Sequence, residues 1–339
     1  MATSAKVSAR VLLRERFMVY GEEYTTDLLM KNATTIVQET KLSEHSKGLL
    51  GLYCELTKIR LSALVVVTTA VGFILASPLG VDWVTLLWTV LGTTSCACAA
   101  ASLNQVAEHT RDAKMDRTKN RPIPAGHIST THAFILGMLL AYIGLGILSF
   151  GANVSAAGIA LLTILVYLLV YTPLKSRTSF NTIVGALVGA FPPLIGWVAA
   201  SNTIGTGGWI LGGILFVWQL PHFLSLAWMY RDDYKRGGFR MLPALDESGE
   251  LTARVSFLTA LSLVPLTLFM TVADVTGTLF AIAGSLLGLW LTWRGLKFWL
   301  CRDDASARRL FFASIIYLPL LLAIMLVDRQ TIQWIELVN

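Results

Sequence analysis

Between Asn104 and Gly126 the chain reads NQVAEHTRDAKMDRTKNRPIPAG, and four oxygen-bearing side chains, Asn104, Glu108, Asp112 and Asp116, recur at every fourth residue. On an α-helix a step of four turns only about 40° past a full circle, so these oxygens share one slowly drifting face. An all-oxygen donor set suits a hard divalent cation. Mg²⁺ in particular is held by a few carboxylates together with substrate phosphates. A basic run, Arg117, Lys119 and Arg121, follows directly. The pattern predicts a metal and phosphate site; the plain alternative is a solvated helix end laced by i,i+4 charge pairs.

A second stretch, WQLPHFLSLAWMYRDDYKRGGFRMLP from Trp218 to Pro243, again leads from an apolar segment into acids, Asp232 and Asp233, and then into basic residues and a proline. Two acidic clusters at equivalent helix ends can hold metal ions from opposite walls of one cavity. A diphosphate bridging them would be neutralised, and its departure helped, by nearby cations. The candidates are Lys58, Arg60, Lys119, Arg121, Lys175, Arg177 and Lys235. Each could equally serve as an anchor at a membrane surface.

The elements that must position these residues are membrane spans. Of 339 residues 55% are hydrophobic and 14% charged, and the mean hydropathy is +0.63. The apolar residues come in runs of about twenty, long enough to cross ~30 Å of hydrocarbon at ~1.5 Å per residue. Nine such runs are present, near 57–77, 83–105, 131–150, 153–172, 180–200, 208–231, 253–273, 277–299 and 310–327. The expected fold is therefore all-α, a polytopic bundle of about nine transmembrane helices. All but Arg329 of the 27 Lys and Arg fall on one side of it. The positive-inside rule then places the N-terminus and charged loops in the cytoplasm, or a mitochondrial matrix, and the C-terminus outside. That asymmetry accounts for the basic pI, and nucleic acid need not be invoked.

Residues 1–50 read as an N-terminal extension on the inner side, with neither a span nor a secretory signal, residues 51–330 as the membrane domain, and 331–339 as a tail. The Asn32-Ala33-Thr34 sequon falls on the inner side and reads as chance. Cys96 and Cys98 sit among Ala and Ser inside the second span, where small residues let helices approach closely; packing is the expected role. The two large charged loops follow spans 2 and 6. That layout predicts two four-helix units related by duplication, plus a ninth helix.

Three motifs in order, the acidic run with MDRTKNRP behind it, YTPLKSRTSFNTIVGALVGAFPPLIGW (171–197) and WQLPHF followed by DDYKRGGFRMLP, resemble the UbiA-type intramembrane prenyltransferases, and among them the branch that farnesylates heme. The resemblance covers most of residues 54–327. It implies a UbiA-like bundle around a central cavity open sideways to lipid. It also implies Mg²⁺-dependent ionisation of farnesyl diphosphate and transfer of the farnesyl group to a vinyl group of heme B, with water completing the side chain of heme O. A heme A synthase would be the downstream acceptor, and a bacterial cell (inner) membrane, or else a mitochondrial inner membrane, the location. By the same resemblance Asn104, Glu108 and Asp112 form the first metal-binding, catalytic motif with Asp116 peripheral to it. Asp233, with Asp232 beside it, falls on the second, and Asn181 matches an asparagine that could reach diphosphate. Two departures stand out. Many members carry Asp where this chain has Glu108, and the positions four before Asp232 and Asp233 are Trp228 and Met229, neither a ligand.

His222 lies eleven residues before Asp233, three turns and about 20° of rotation on a continuous helix, hence on nearly the same face. An ionisable side chain at that depth is a functional candidate. His222 is therefore expected to face the cavity and contact heme, as an iron ligand or through a propionate, with Gln219 one turn away assisting. A histidine hydrogen-bonded to a neighbouring helix is the structural alternative. Two other functions stay open in the sequence: a UbiA-type enzyme with a quinone precursor or another aromatic or tetrapyrrole acceptor, and a secondary transporter, whose polar residues would sit nearer mid-membrane.

Overall fold

The computed structural model describes residues 48–329, so nearly all of the N-terminal extension, the sequon and the C-terminal tail lie outside the described residues. In chain order the helices are α1 (Leu49–Leu56), α2 (Ile59–Leu75), α3 (Trp83–Asp112), α4 (Thr130–Gly151), α5 (Val154–Leu174), α6 (Asn181–Ser201), α7 (Thr206–Met229), α8 (Arg231–Arg236), α9 (Leu242–Leu245), α10 (Glu250–Val272), α11 (Thr278–Cys301) and α12 (Asp304–Val327). Among the described residues extended pairing is limited to one isolated bridge, Thr276 with Arg329. Eight helices, α3 to α7 and α10 to α12, are long and apolar enough to cross a bilayer; α1 with Leu61–Leu75 makes a ninth if taken as one broken span. Lys58 caps the start of α2 from the left-handed region, φ 50°.

Short polar residues ahead of the apolar runs start the helices by accepting otherwise orphaned N–H groups. Asp82 accepts from Val84 and Thr85 at 3.0 and 3.2 Å, Asn153 from Ala156 at 2.8 Å, and Asp303 from Ser306 at 2.7 Å. Arg329, the cation that the sequence reading sets apart from the rest, donates to the Ile74 carbonyl at the end of α2 at 2.9 Å. It closes a helix terminus there, a standard use for a cation at the negative end of a helix dipole.

Small residues set the helix crossings. A Cβ on Gly144 of α4 would stand 2.7 Å from the Cys96 sulfur of α3, so Cys96 is a packing residue, and all four thiols are free. The tightest crossing joins α2 to α6. A Cβ on Gly72 would fall 2.1 Å from the Pro193 oxygen, and one on Gly196 1.8 Å from the Thr69 oxygen. These are spans 1 and 5, the pair that the expected duplication would make equivalent. From α6 the packing continues to α7, then to α10 and α12, and α12 returns to α2. Outward faces carry exposed apolar side chains, such as Phe134 and Ile135 on α4 and Ile282 and Leu286 on α11, as a lipid-facing surface requires.

Two helix ends differ from the sequence reading. α7 stops at Met229, with Tyr230 at φ −114° and ψ 21°, and Asp232 and Asp233 belong to the separate short helix α8. Arg231 stabilises the break by donating to the Trp228 carbonyl at 2.8 Å. The continuous-helix count from His222 to Asp233 therefore does not apply. Likewise α3 ends at Asp112, and Asp116 lies in the turn beyond it. There the Thr118 hydroxyl donates to the Asp112 carbonyl at 2.9 Å, satisfying an orphaned acceptor.

Gly196→Ala is expected to cost about 1–3 kcal/mol by overpacking the α2–α6 crossing. Gly158→Ala, where a Cβ meets nothing within 4 Å, should leave stability unchanged; thermal unfolding in detergent distinguishes the two.

Candidate active site

α3 delivers Asn104, Glu108 and Asp112 to one end of the bundle on a single face, as their spacing requires, and all three are buried. A buried carboxylate is costly unless paired, and each of these oxygens draws a cation from a different element. Asn104 Oδ1 accepts from Lys58 Nζ at 3.0 Å. Glu108 Oε1 lies 2.8 Å from Lys175 Nζ, and Asp112 Oδ2 lies 2.7 Å from Arg121 Nη1. The better-aligned hydrogen bond from Lys175 goes to Glu108 Oε2 at 3.2 Å. Oε1 is thus left with a charge contact but no hydrogen bond.

Lys175 follows α5, whose last turns are irregular for a clear reason. Pro173 lacks an N–H and cannot continue the ladder, and the helix widens to a π turn over Val166–Tyr171. The Thr172 hydroxyl donates to the Tyr167 carbonyl at 2.8 Å and accepts from Asn104 Nδ2 at 3.1 Å. The rings of Tyr167 and Tyr171 stack at 5.4 Å, and the Lys175 ammonium sits 4.6 Å from the Tyr171 centroid. Burial works against the lysine's charge, but Glu108, Tyr171 and Tyr167 outweigh it and hold the group above the ordinary lysine range.

The second acidic cluster closes on the first through its backbone. Asp233, buried, accepts N–H groups from Asp116 and Arg117, both at 3.2 Å. Arg236 bonds both Asp233 and Asp116, the latter at 2.8 Å. Asp116 is exposed and also pairs with Lys119 at 2.7 Å; that hydrogen bond keeps its carboxyl below the usual carboxylate range. The loop after α8 is pinned as well. Arg111 donates to the Gly238 carbonyl at 3.0 Å, and Asn181 Nδ2 donates to the Arg240 carbonyl at 3.0 Å. The Arg240 amide donates to the Lys175 carbonyl at 2.6 Å, which ties this loop to the end of α5.

These contacts enclose a cavity of about 410 Å³ walled by α2, α3, α5, α6, α7 and α12. Of the residues singled out in the sequence, Lys58, Glu108, Asp112, Arg121, Lys175, Gln219 and His222 line it. Asn104 stands behind Lys58, its amide used on both sides. Asp116, Lys119, Arg177, Asn181, Asp232, Asp233 and Lys235 lie outside the lining. Asp233 and Asn181 instead hold the loops that cover the charged end, while Asp232, Arg177 and Lys235 face outward. Arg60 falls in the first turn of α2. The cavity also exposes Arg117, named in the sequence only as part of the basic run, and groups the sequence reading passed over: Tyr167, Tyr171 and Phe239. One signal was available, since Tyr167, Tyr171 and Lys175 recur at every fourth position.

The charged end carries four basic side chains, Lys58, Arg117, Arg121 and Lys175, against two acidic ones, Glu108 and Asp112, a surplus suited to an anion. Away from it the wall is apolar and aromatic, with Ile164, Ile195, Leu215, Trp218 and Phe223. His222 lines this part, and its Nδ1 lies 2.8 Å from the Ser314 hydroxyl of α12. The expected cavity position and the hydrogen bond to a neighbouring helix thus coexist. Gln219 packs over Gly189 and donates to the Leu215 carbonyl at 3.2 Å.

An amphiphile with an anionic head fits such a cavity, and the profile of the UbiA prenyltransferase family matches residues 65–316. The chain belongs to the UbiA prenyltransferase family. A protoheme IX farnesyltransferase of Opitutus terrae is 45% identical over 82% of this chain and 94% of its own length. The mitochondrial protoheme IX farnesyltransferase of Homo sapiens is 40% identical over 91% of this chain and 70% of its own. In fold the chain is similar to a digeranylgeranylglyceryl phosphate synthase, with TM-score 0.70 and 17% identity over 83% of this chain and 98% of that one. It is also similar to a UbiA homolog from Archaeoglobus fulgidus bound to GPP and Mg²⁺, with TM-score 0.57 and 13% identity over 81% and 99%. Family membership decides for prenyl transfer over transport.

Breaking the buried Glu108–Lys175 pair by Lys175→Met is expected to destabilise the protein by about 3–5 kcal/mol, because it strands a carboxylate. Combining it with Glu108→Gln should recover most of that loss in a thermal-unfolding double-mutant cycle.

Proposed function

We propose that the chain is a heme O synthase, which transfers the farnesyl group of farnesyl diphosphate to a vinyl group of heme B, adds water and releases diphosphate. The observation that carries this reading is the 45% identity, over nearly the whole length of the relative, to a protein named protoheme IX farnesyltransferase. The cavity supports it, with a cationic end for diphosphate and an aromatic, apolar depth for a prenyl chain and a porphyrin. Both substrates partition into lipid, so a cavity between helices can receive them from the bilayer. By the positive-inside rule we read the charged end as facing the cytoplasm or a mitochondrial matrix.

The donor set fits Mg²⁺. Glu108 and Asp112 stand one turn apart at the cavity wall, and Glu108 Oε1 meets the Lys175 ammonium at 2.8 Å. Among the described residues no group of three His, Cys, Asp or Glu could hold a metal, so substrate phosphate oxygens would complete the shell, the usual arrangement for this ion. Bound there, Mg²⁺ would neutralise the diphosphate and ease cleavage of the allylic C–O bond.

The chain's own residues do the rest. Lys58, Arg117, Arg121 and Lys175 bind and orient the diphosphate. Tyr167 and Tyr171 line the cavity beside its cationic end, and aromatic faces attract the positive charge that develops on the prenyl carbon without capturing it. The covering loops, held by Asp233 and Asn181, exclude water until the carbon–carbon bond has formed. His222 and Gln219 are placed to meet the porphyrin.

Membranes containing the native chain, supplied with heme B, farnesyl diphosphate and Mg²⁺, should yield heme O. Asp112→Ala should lower the rate by about 100-fold or more, the scale of losing one transition-state electrostatic group, and chelation of Mg²⁺ should abolish it. A prenylated phenol in place of heme O would shift the acceptor to a quinone precursor.

A further inference from the structure

The imidazole of His222 is fixed on several sides. Trp218, one turn earlier on α7, stacks on it at 5.2 Å and 20°. Phe311 of α12 stacks at 4.9 Å and 25°, and Phe223 leans on it at 5.7 Å and 56°. Nδ1 lies 2.8 Å from Ser314 Oγ. Ser314 is itself fully buried and anchors the same aromatic group, since its carbonyl accepts from Trp218 Nε1 at 2.9 Å.

The direction of the His222–Ser314 hydrogen bond follows from counting protons. A serine hydroxyl has one hydrogen to give and lone pairs to receive. Ser314 gives its hydrogen to the Phe311 carbonyl at 2.6 Å. Only an oxygen lone pair then remains for His222, so Nδ1 carries the ring hydrogen and donates. In the neutral imidazole that leaves Nε2 as a bare lone pair. With the ring faces packed and Nδ1 engaged, the edge bearing Nε2 is what His222 brings to the cavity it lines. A propionate would need an N–H on that edge. A metal needs a lone pair, and metal-bound histidines ordinarily donate their other ring N–H to an oxygen, as here.

We propose that Ser314 is a positioning residue that fixes the His222 tautomer, so that His222 Nε2 ligates the iron of the heme substrate instead of contacting a propionate. This rests on heme being the acceptor. Iron ligation at one fixed point would set where the porphyrin, and hence its vinyl edge, sits relative to the prenyl carbon.

Titrating the purified full-length protein in lipid nanodiscs with ferric heme B, and reading the Soret and electron-paramagnetic-resonance spectra, tests the assignment. The native protein should show an imidazole-ligated iron. His222→Ala should lose that signature and regain it on adding free imidazole. Ser314→Ala should weaken heme binding about 10- to 100-fold, the usual cost of removing a partner behind a metal-bound histidine, and Ser314→Thr should restore it. Binding of inorganic diphosphate, which depends on the cationic end of the cavity, should stay unchanged in all three variants and reports that they are folded. Heme bound by His222→Ala with an unaltered iron spectrum, or by Ser314→Ala with native affinity and spectrum, would overturn the proposal and leave heme as the acceptor. Failure of the native protein to bind heme at all would remove both readings.

Discussion

The contact between Glu108 of α3 and Lys175 beyond α5 shows what the charged end of the bundle depends on. A carboxylate withdrawn from water must recover its lost hydration from a nearby positive group or hydrogen-bond donors. α3 carries two such acids and an amide on one buried face, so the face has to recruit partners. It takes Lys58 from the start of α2, Arg121 from the following loop and Lys175 from the end of α5. Three separate parts of the chain are thereby tied to one helix end. Asp233 plays the same part for the covering loops by accepting backbone N–H groups from Asp116 and Arg117. Holding the fold together and offering cations to an anion are one arrangement here, not two.

The rest of the bundle has no such resource, because lipid offers its helices little hydrophobic reason to associate. Close backbone contact replaces it. The crossing of α2 and α6 depends on Gly72 and Gly196 facing backbone with no room for a side chain, and α3 against α4 depends on Gly144 facing Cys96. Small residues draw these helices together, while large ones such as Trp218 and Phe223 line the space left between them. The cavity is bounded by tight crossings and closed at one end by ion pairs.

The parts legible in the sequence were those that depend on period and hydropathy. Asn104, Glu108 and Asp112 share a face because α3 runs unbroken to Asp112, and the spans follow from runs of apolar residues. The parts that were not legible depend on partners distant in the chain. Nothing local to Asp233 shows that its carboxylate will meet the amides of Asp116 and Arg117, far back in the chain. Asp233 therefore looked like a cavity ligand when its contacts are with a loop. The letters around Tyr230 do not announce the end of α7, which moved Asp232 to the outside and removed the helical count from His222. His222 still lines the cavity, since its own position depends on α7 alone. The aromatic pair Tyr167 and Tyr171 was missed because an apolar span hides a cavity-lining face among residues that also suit lipid.

The widened turn at Val166–Tyr171 gives α5 one residue more than a regular helix needs to cover the same rise. Wound as an ordinary α-helix, the same residues would leave the span as apolar as before. Everything after the turn would then be rotated by about 100°, carrying Lys175 away from Glu108. A difference of winding that hydropathy cannot detect would thus let the chain enter the bilayer normally and yet strip the anion site of its central cation. The anion site depends on the register of this helix as much as on its composition.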